Sequence, residues 1–371
     1  MLWIIGTSVS IEDGGYAVRL QTRARLELGI VCTNLSVGDQ TSMMGCMRVM
    51  QHLDEFSPGD VVVWEYSLLD TLLTDTCFPA SDTHAARRLA WRQFLERQVS
   101  VLVLMTPPRN AVSGRTACEQ RIARDADMFG IPCIDVRDAF VALHISRPAR
   151  HYRDDRHPRV DSPVVDFMME QTFEFVARHH GVEPDRIPVV PPSGDERHWR
   201  WLGASALAEA AGLPVRAFRN SLMTVQAVAL PVDAATGFQS DLASRIVSLG
   251  VLSTHASGGA WCGHQGCAPA STRLPAELDY AFLLRATGLP CVRGTLDTVA
   301  SAPGWAYARG VWAAYGQAVC DQPGDVMLFG MFYVPAGSPD VASWPAPIGD
   351  RSLKARVWRR LRRWLHDARA H

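Results

Sequence analysis

The sequence predicts an α/β chain, a parallel sheet first and an antiparallel β region after it. Three observations carry this. Short apolar runs alternate with segments of helical spacing over the first 180 residues. A proline-rich stretch, residues 181–195 (GVEPDRIPVVPPSGD), then interrupts the pattern. Beyond it, apolar runs follow one another across Gly/Pro turns with little helical spacing between them.

The first element is the run at residues 2–5 in the opening MLWIIGTSVS, which stops at Gly6. Four residues without a polar break are too few for a helix and suit a buried strand. Residues 30–32, 61–64, 99–105 and 131–134 read the same way. Between these runs, residues 16–28, 42–53, 83–98 and 117–128 have helical spacing, and residues 164–179 close the region. In residues 83–98 the apolar side is Leu89, Phe94 and Leu95. Five short strands separated by helices imply a flavodoxin-like parallel five-stranded sheet covered on both faces. Active sites in such sheets lie beyond the carboxyl ends of the strands.

After the linker, residues 215–230, 244–254, 280–285, 292–299, 305–319 and 326–334 read as strands, and only residues 201–211 as helix. The expected organisation is an α/β domain over residues 1–180, a linker over 181–195 and a mostly antiparallel β-sandwich domain over 196–345. A basic amphipathic C-terminal helix over 346–371 completes it. In that tail Leu353, Val357, Leu361, Trp364 and Leu365 share one face, and Arg356, Arg359, Arg360, Arg362 and Arg363 cover the rest.

Composition narrows the function classes. The 371 residues are 47% hydrophobic and 20% charged, a globular balance too long for one ordinary core. No apolar run approaches a membrane span, and the start lacks the basic and apolar regions of a signal peptide. Nine cysteines without framework spacing fit a reduced, cytoplasmic setting. The net charge of −1 hides an asymmetry, because residues 351–371 carry eight Lys/Arg against one Asp. That tail suits an anionic membrane surface, so the expectation is a cytoplasmic protein peripheral to the inner membrane face. Nucleic acid is not expected as a partner, because the body is acidic. Lys354 is the only lysine, which removes P-loop, Schiff-base and kinase-type lysine chemistry from the body. No G-x-G-x-x-G follows a strand, and no cofactor is expected.

The strand ends carry the candidate chemistry. Strand one ends in GTSVS with Ser8, strand two in NLSVGDQTS with Gly38, strand three in EYSLLD with Asp70, and strand four in TPPRN with Asn110. HYRDDRHPR, with Asp154 and His157, precedes the last helix. A serine, a glycine, a polar residue and an Asp-x-x-His thus converge on one edge of one sheet.

Gly6-Thr7-Ser8, Gly38, Ser67-Leu68-Leu69-Asp70 and Asp154-Asp155-Arg156-His157-Pro158 resemble, in order, the four sequence blocks of the SGNH (GDSL-type) hydrolases. The resemblance covers about the first 180 residues. It implies an SGNH-like fold in which Ser8 is the nucleophile, His157 takes its proton and Asp154 orients the imidazole. The N–H groups of Ser8 and Gly38 would hold the oxyanion. Two positions depart from the pattern. Thr7 replaces the Asp of the first block, and Leu69 replaces the Asn of the third, which would be another oxyanion donor. Loss of one such donor costs roughly 10²–10³ in rate, and Ser67 or Asn110 is left to replace it. The implied activity is that of a serine esterase or O-acyltransferase with an acylated carbohydrate or acyl donor as partner, in surface-polysaccharide metabolism. The alternative is a non-catalytic carbohydrate-binding protein on the same fold, which Leu69 favours. A tail-mediated scaffold for polysaccharide assembly is a third reading.

Plainer readings stand beside these. Ser8, or Ser10 with Asp13, suits a helix N-cap. Asp154 and His157 suit a charge cluster at the last helix. Asp70 suits a cap, and His144, His151, His179 and His180 suit surface or structural places. CGHQGC, residues 262–267, suits a turn between strands better than a metal site, so no metal is expected. Trp199, Trp201, Trp261, Trp305 and Trp312 are expected mostly in the core, with one or two as a sugar platform.

Overall fold

The computed structural model describes residues 1–73, 78–182, 198–219, 223–230, 235–237, 245–254, 260–263, 270–271, 283–288, 295–299 and 326–335. The first five strands are β1 (Leu2–Gly6), β2 (Cys32–Asn34), β3 (Val61–Glu65), β4 (Ser100–Met105) and β5 (Cys133–Asp135). They form one parallel sheet in the order β2-β1-β3-β4-β5. The helices between and after them are α1 (Tyr16–Leu28), α2 (Ser42–Gln51), α3 (Ser67–Leu73), α4 (Ala80–Glu96), α5 (Ala117–Met128), α6 (Arg137–Ala142) and α7 (Pro163–His179).

Alternation along the strands divides the interior in two, because successive side chains of a strand point to opposite faces. Leu2, Ile4, Val61, Val63, Leu102 and Leu104 pack with residues of α1, α3, α6 and α7. Trp3, Ile5, Val62, Trp64, Val101 and Val103 pack with α2, α4 and α5. Both faces are covered, so β1, β3 and β4 are buried along their whole length.

The second half begins with β6 (Arg200–Gly203) and α8 (Ala204–Ala211), then β7 (Val215–Arg219), β8 (Thr224–Leu230), β9 (Ala235–Gly237) and β10 (Arg245–Ser253). It continues with β11 (Ala260–Gly263), β12 (Ala270–Ser271), β13 (Leu283–Gly288), β14 (Thr295–Val299) and β15 (Val326–Val334). These strands make two antiparallel sheets, β13-β10-β15-β8-β7 with β6 also on β15, and β12-β11-β14-β9. Trp199, Val225, Ala227, Phe329 and Phe332 join the α2–α4 face of the parallel sheet in a continuous core. Trp199 is buried against Phe332, and the Trp201 ring lies over Gly330, where a Cβ would collide with it. Those two tryptophans therefore serve packing.

Four differences from the sequence expectation have physical causes. Strand two starts at Cys32 instead of residue 30, because Gly29 turns left-handed (φ +67°) and Ile30 N–H bonds the Ala24 carbonyl, closing α1. Residues 201–203 are strand rather than helix, paired to β15 in the register Trp201↔Phe332. Residues 215–230 form two antiparallel strands instead of one. Helix α3 was not expected, since its seven residues, SLLDTLL, follow β3 after Tyr66 alone and are too few to show a helical period. The expected strand at 305–319, most of the 181–195 linker, residues 264–267 of the CGHQGC stretch, Trp305, Trp312 and the 346–371 helix lie outside the described residues. Among the described residues no helix is long and apolar enough to cross a membrane.

Candidate active site

β1 delivers the serine. Its last residue, Gly6, pairs with Glu65 at the end of β3, and the chain then makes a short 3-10 turn over Ser8–Ser10. Ser10 N–H donates to the Thr7 carbonyl at 3.0 Å and closes that turn. Gly6 has no room for a side chain, because a Cβ there would collide with Ser10 Oγ. The exit of β2 is drawn alongside. Val37 N–H donates to the Gly6 carbonyl at 3.0 Å, and Asn34 Nδ2 donates to the Ser10 carbonyl at 2.7 Å. Gly38 follows at once, and a Cβ built on it would lie 3.8 Å from Ser8 Cβ and 3.3 Å from Ile11 Cδ1. The Ser8 and Gly38 N–H groups engage no hydrogen-bond acceptor among the described residues.

The imidazole arrives from the loop before α7. Arg153 N–H donates to the His157 carbonyl at 2.8 Å, and Tyr152 Oη donates to the Pro107 carbonyl at 2.8 Å, tying this loop to the exit of β4. Within it, Asp154 Oδ1 accepts the N–H groups of Arg156 and His157, both at 2.8 Å. The same carboxylate meets His157 Nδ1 at 2.8 and 3.0 Å. His157 Nε2 stands 2.8 Å from Ser8 Oγ. Burial pushes the Asp154 carboxyl up, but those two N–H groups and the His157 imidazole outweigh it and hold it below the ordinary carboxylate range. Asp154 therefore stays ionised at neutral pH, which fixes Nδ1 as the protonated nitrogen and leaves Nε2 free to accept the serine proton.

Ser8, His157, Asp154 and Gly38, chosen from four separated stretches, are thus brought together. The other choices fall elsewhere. Leu69 is wholly buried among the apolar residues of the α1–α7 side, so its side chain is part of the core. The Ser67 hydroxyl is taken up at the exit of β4, accepting from Thr106 N–H at 2.8 Å and lying 3.2 Å from the Thr106 carbonyl. Asn110 is exposed on a 3-10 turn at Arg109–Ala111 and has no hydrogen bond to Ser8, Gly38 or His157. Asp70 accepts from Ser42 N–H at 2.7 Å and Ser42 Oγ at 2.5 Å, at the first turn of α2, and from Arg87 Nη1 at 3.3 Å. It is a cap supplied by a neighbouring helix. Helix α1 is capped by Gly15, so Ser10 is not its N-cap.

Two features of the site are not among the sequence choices. Asp39, next to Gly38, has a left-handed backbone (φ +56°) and accepts from Arg156 Nη1 at 2.8 Å. This joins the Gly38 loop to the loop that holds His157. Burial raises the Asp39 carboxyl above its ordinary value, against the pull of Arg156 and His157. The second is Glu65, fully buried at the end of β3. Its Oε2 accepts from Thr7 N–H at 3.1 Å, Thr7 Oγ1 at 2.8 Å and Ser10 Oγ at 3.2 Å, while Oε1 is buried without a partner. Burial pushes this carboxyl up to about 7 despite the three donors, and Asp70 adds to the rise. A sequence signal for it exists, an acid closing the otherwise apolar VVVWE, but nothing local says what it bonds.

Among the described residues no group of three or more His, Cys, Asp or Glu side chains is arranged to hold a metal ion.

No family model and no curated protein matches the chain. Solved structures do. A two-domain esterase (CEX) active on acetylated mannans superposes with a TM-score of 0.53 at 12% identity, over 90% of this chain and 91% of that one. TesA, at 20% identity and a TM-score of 0.36, covers 48% of this chain and 98% of its own. AlinE4, an SGNH-hydrolase family esterase, covers 48% of this chain and 94% of its own at 19% identity and a TM-score of 0.31. The first of these spans both halves of the molecule at a score that establishes shared architecture. The chain therefore has an α/β fold, a five-stranded parallel sheet continued by antiparallel β, and shares its overall architecture with that two-domain structure.

Proposed function

We propose that the protein is a serine-dependent acyl-ester enzyme acting on an O-acetyl or short O-acyl group of a carbohydrate. The observation that carries this is the unbroken series Ser8 Oγ, His157 Nε2, His157 Nδ1 and Asp154, each link 2.8 Å long. In this reading Ser8 Oγ bonds the acyl carbon while its proton passes to His157 Nε2. The oxyanion forms against the N–H groups of Ser8 and Gly38. Collapse breaks the ester C–O bond, and the leaving alkoxide takes the proton from His157. A water or a sugar hydroxyl then gives its proton to His157 and bonds the acyl carbon, the acyl–Ser8 Oγ bond breaks, and Ser8 Oγ takes the proton back from His157. Water makes an esterase and the hydroxyl an acyltransferase, with the same residues in the same roles. The likeness in architecture to an esterase active on acetylated mannans supports a carbohydrate ester as substrate. The reading extends to surface-polysaccharide metabolism at the inner face of the membrane, with residues 352–371 meeting its anionic surface.

One observation favours the alternative of a carbohydrate-binding protein without catalysis. Leu69 lies in the core and the Ser67 hydroxyl is engaged by Thr106, so neither supplies a third oxyanion donor. The test is p-nitrophenyl acetate hydrolysis by wild type and Ser8→Ala, with intact-mass detection of acetyl-Ser8. Ser8-dependent turnover or a trapped adduct is expected. Equal rates and no adduct would favour the binding reading.

A further inference from the structure

The nucleophile turn is held from beneath by one carboxylate. Gly6 and Glu65 sit opposite each other at the ends of β1 and β3, and the turn carrying Ser8 begins at the next residue. Thr7 precedes Ser8 and Ser10 lies two residues beyond it. Both bond the same oxygen, Glu65 Oε2, through a backbone N–H and two hydroxyls. Ser10 Oγ also meets Tyr16 Oη at 2.7 Å, and Tyr16 is fully buried on α1. The Ser8 backbone is therefore fixed on both sides by contacts that converge on one buried oxygen.

The fold alone does not call for an acid here. The β1–β3 ladder, from Leu2↔Val61 to Gly6↔Glu65, is made by backbone groups and needs no acidic side chain. A buried carboxyl with one oxygen unpartnered lowers stability compared with a well-packed apolar side chain. Costly buried polar groups of this kind are retained where they set geometry.

We infer that Glu65 is the positioning residue of the nucleophile turn, holding Ser8 Oγ at hydrogen-bond distance from His157 through Thr7 and Ser10. The inference rests on Ser8 being the nucleophile. It makes the acceptor oxygen the essential feature, so a neutral carbonyl oxygen at the same place serves and its removal does not.

The experiment compares wild type, Glu65→Gln, Glu65→Asp and Glu65→Ala with p-nitrophenyl acetate, reading kcat and KM separately and acetyl-Ser8 by intact mass. Displacing a reacting group by about 1 Å costs on the order of 10²-fold, so Glu65→Ala is expected to lose about that much kcat. KM should hold within about twofold, and Glu65→Gln should stay within about fivefold of wild type. Glu65→Asp keeps the charge but withdraws the oxygen by one methylene, so a loss of about tenfold in kcat is expected. It decides the matter if the Ala variant does not fold. Unchanged kcat in Glu65→Ala or Glu65→Asp, beside Ser8-dependent turnover in wild type, overturns this inference alone. So does a loss in Glu65→Gln as deep as in Glu65→Ala. Wild-type turnover that does not depend on Ser8 overturns the reading of the site and this inference with it.

Discussion

The two halves of the candidate site are built in opposite ways. The base loop is local. Asp154 reaches His157 three residues on, and its carboxylate also accepts two backbone N–H groups within that span. It is open as well, with the Asp154 side chain 46% exposed and that of His157 16% exposed. The nucleophile turn is non-local and closed. Its support comes from Glu65, 58 positions away and fully buried, and from the exit of β2. The base loop positions itself, whereas the serine is positioned by the sheet. Changes in the loop should therefore alter chemistry while sparing the fold, and changes beneath the turn should alter both.

The largest effect tests the local half. In Asp154→Asn the side-chain oxygen still accepts the N–H groups of Arg156 and His157, so the loop is kept. The amide now donates to His157 Nδ1, which leaves the proton on Nε2, facing Ser8. The wrong tautomer should lower kcat/KM by about 10³–10⁴ with thermal stability nearly unchanged, measured as ester hydrolysis beside a melting curve. A melting point that fell with activity would show that the loop leans on the charge itself.

A purely structural case, apart from both halves of the site, lies among α3, α4 and α5. Arg87 is fully buried, bonds Asp70 at 3.3 Å and His84 Nδ1 at 2.6 Å, and also pairs with Asp125. Burial, together with Arg87, Arg121 and Arg88, lowers His84 to about 3, so it is a neutral partner there. Arg87→Ala strands Asp70 and Asp125 without their cation and should cost about 3–5 kcal/mol by chemical denaturation. The molecules that remain folded should keep their activity, since no bond from Arg87 reaches Ser8, Gly38 or His157.

Glu65 lends the closed half a pH signature. Its carboxyl titrates near 7 in the folded protein against an ordinary value of 4.5. Between these pH values the folded protein keeps a proton that the unfolded chain has released. This raised acid therefore makes stability fall as pH climbs from about 4.5 through 7, and adds nothing further above that. Glu65→Gln removes the effect. The difference in unfolding free energy between variant and wild type should grow by on the order of 3 kcal/mol from pH 4.5 to pH 8. A constant difference would mean that the carboxyl is ionised throughout.

Legibility divides along the same line. Ser8, Asp154 and His157 were candidates from their places after an apolar run and before the last helix, and their pairing followed from the resemblance of their blocks to a known family. Gly38 lay at an expected strand end. Glu65 could not be assigned, because its partners depend on which strands are neighbours, and β1 lies beside β3 only once the sheet order is known. The burial of Leu69 was hidden for a related reason. Its block, Ser67–Asp70, lies inside α3, and the short run SLLDTLL shows neither the helix nor which of its leucines faces the core. The β1, β3 and β15 boundaries were clear because apolar runs end there at polar or small residues. The start of β2 was not, since Ile30 belongs by its hydrogen bond to the cap of α1.

The smallest effect concerns the link between the two halves. Asp39 and Arg156 join the Gly38 loop to the His157 loop, with side chains 21% and 29% exposed. Partly exposed pairs of this kind contribute only about 0.2–1 kcal/mol, so the fold should barely notice their loss. Catalysis is the more sensitive readout, because Asp39 holds Gly38 from one side in a left-handed conformation that costs about 1 kcal/mol or more unless something fixes it. Asp39→Ala and Arg156→Ala should each lower kcat by about three- to tenfold. The double variant should be no worse than either single one, since the second change removes nothing that the first has left. Additive losses would mean that Arg156 acts on the substrate directly, and the link would then be a substrate contact instead of a brace between loops.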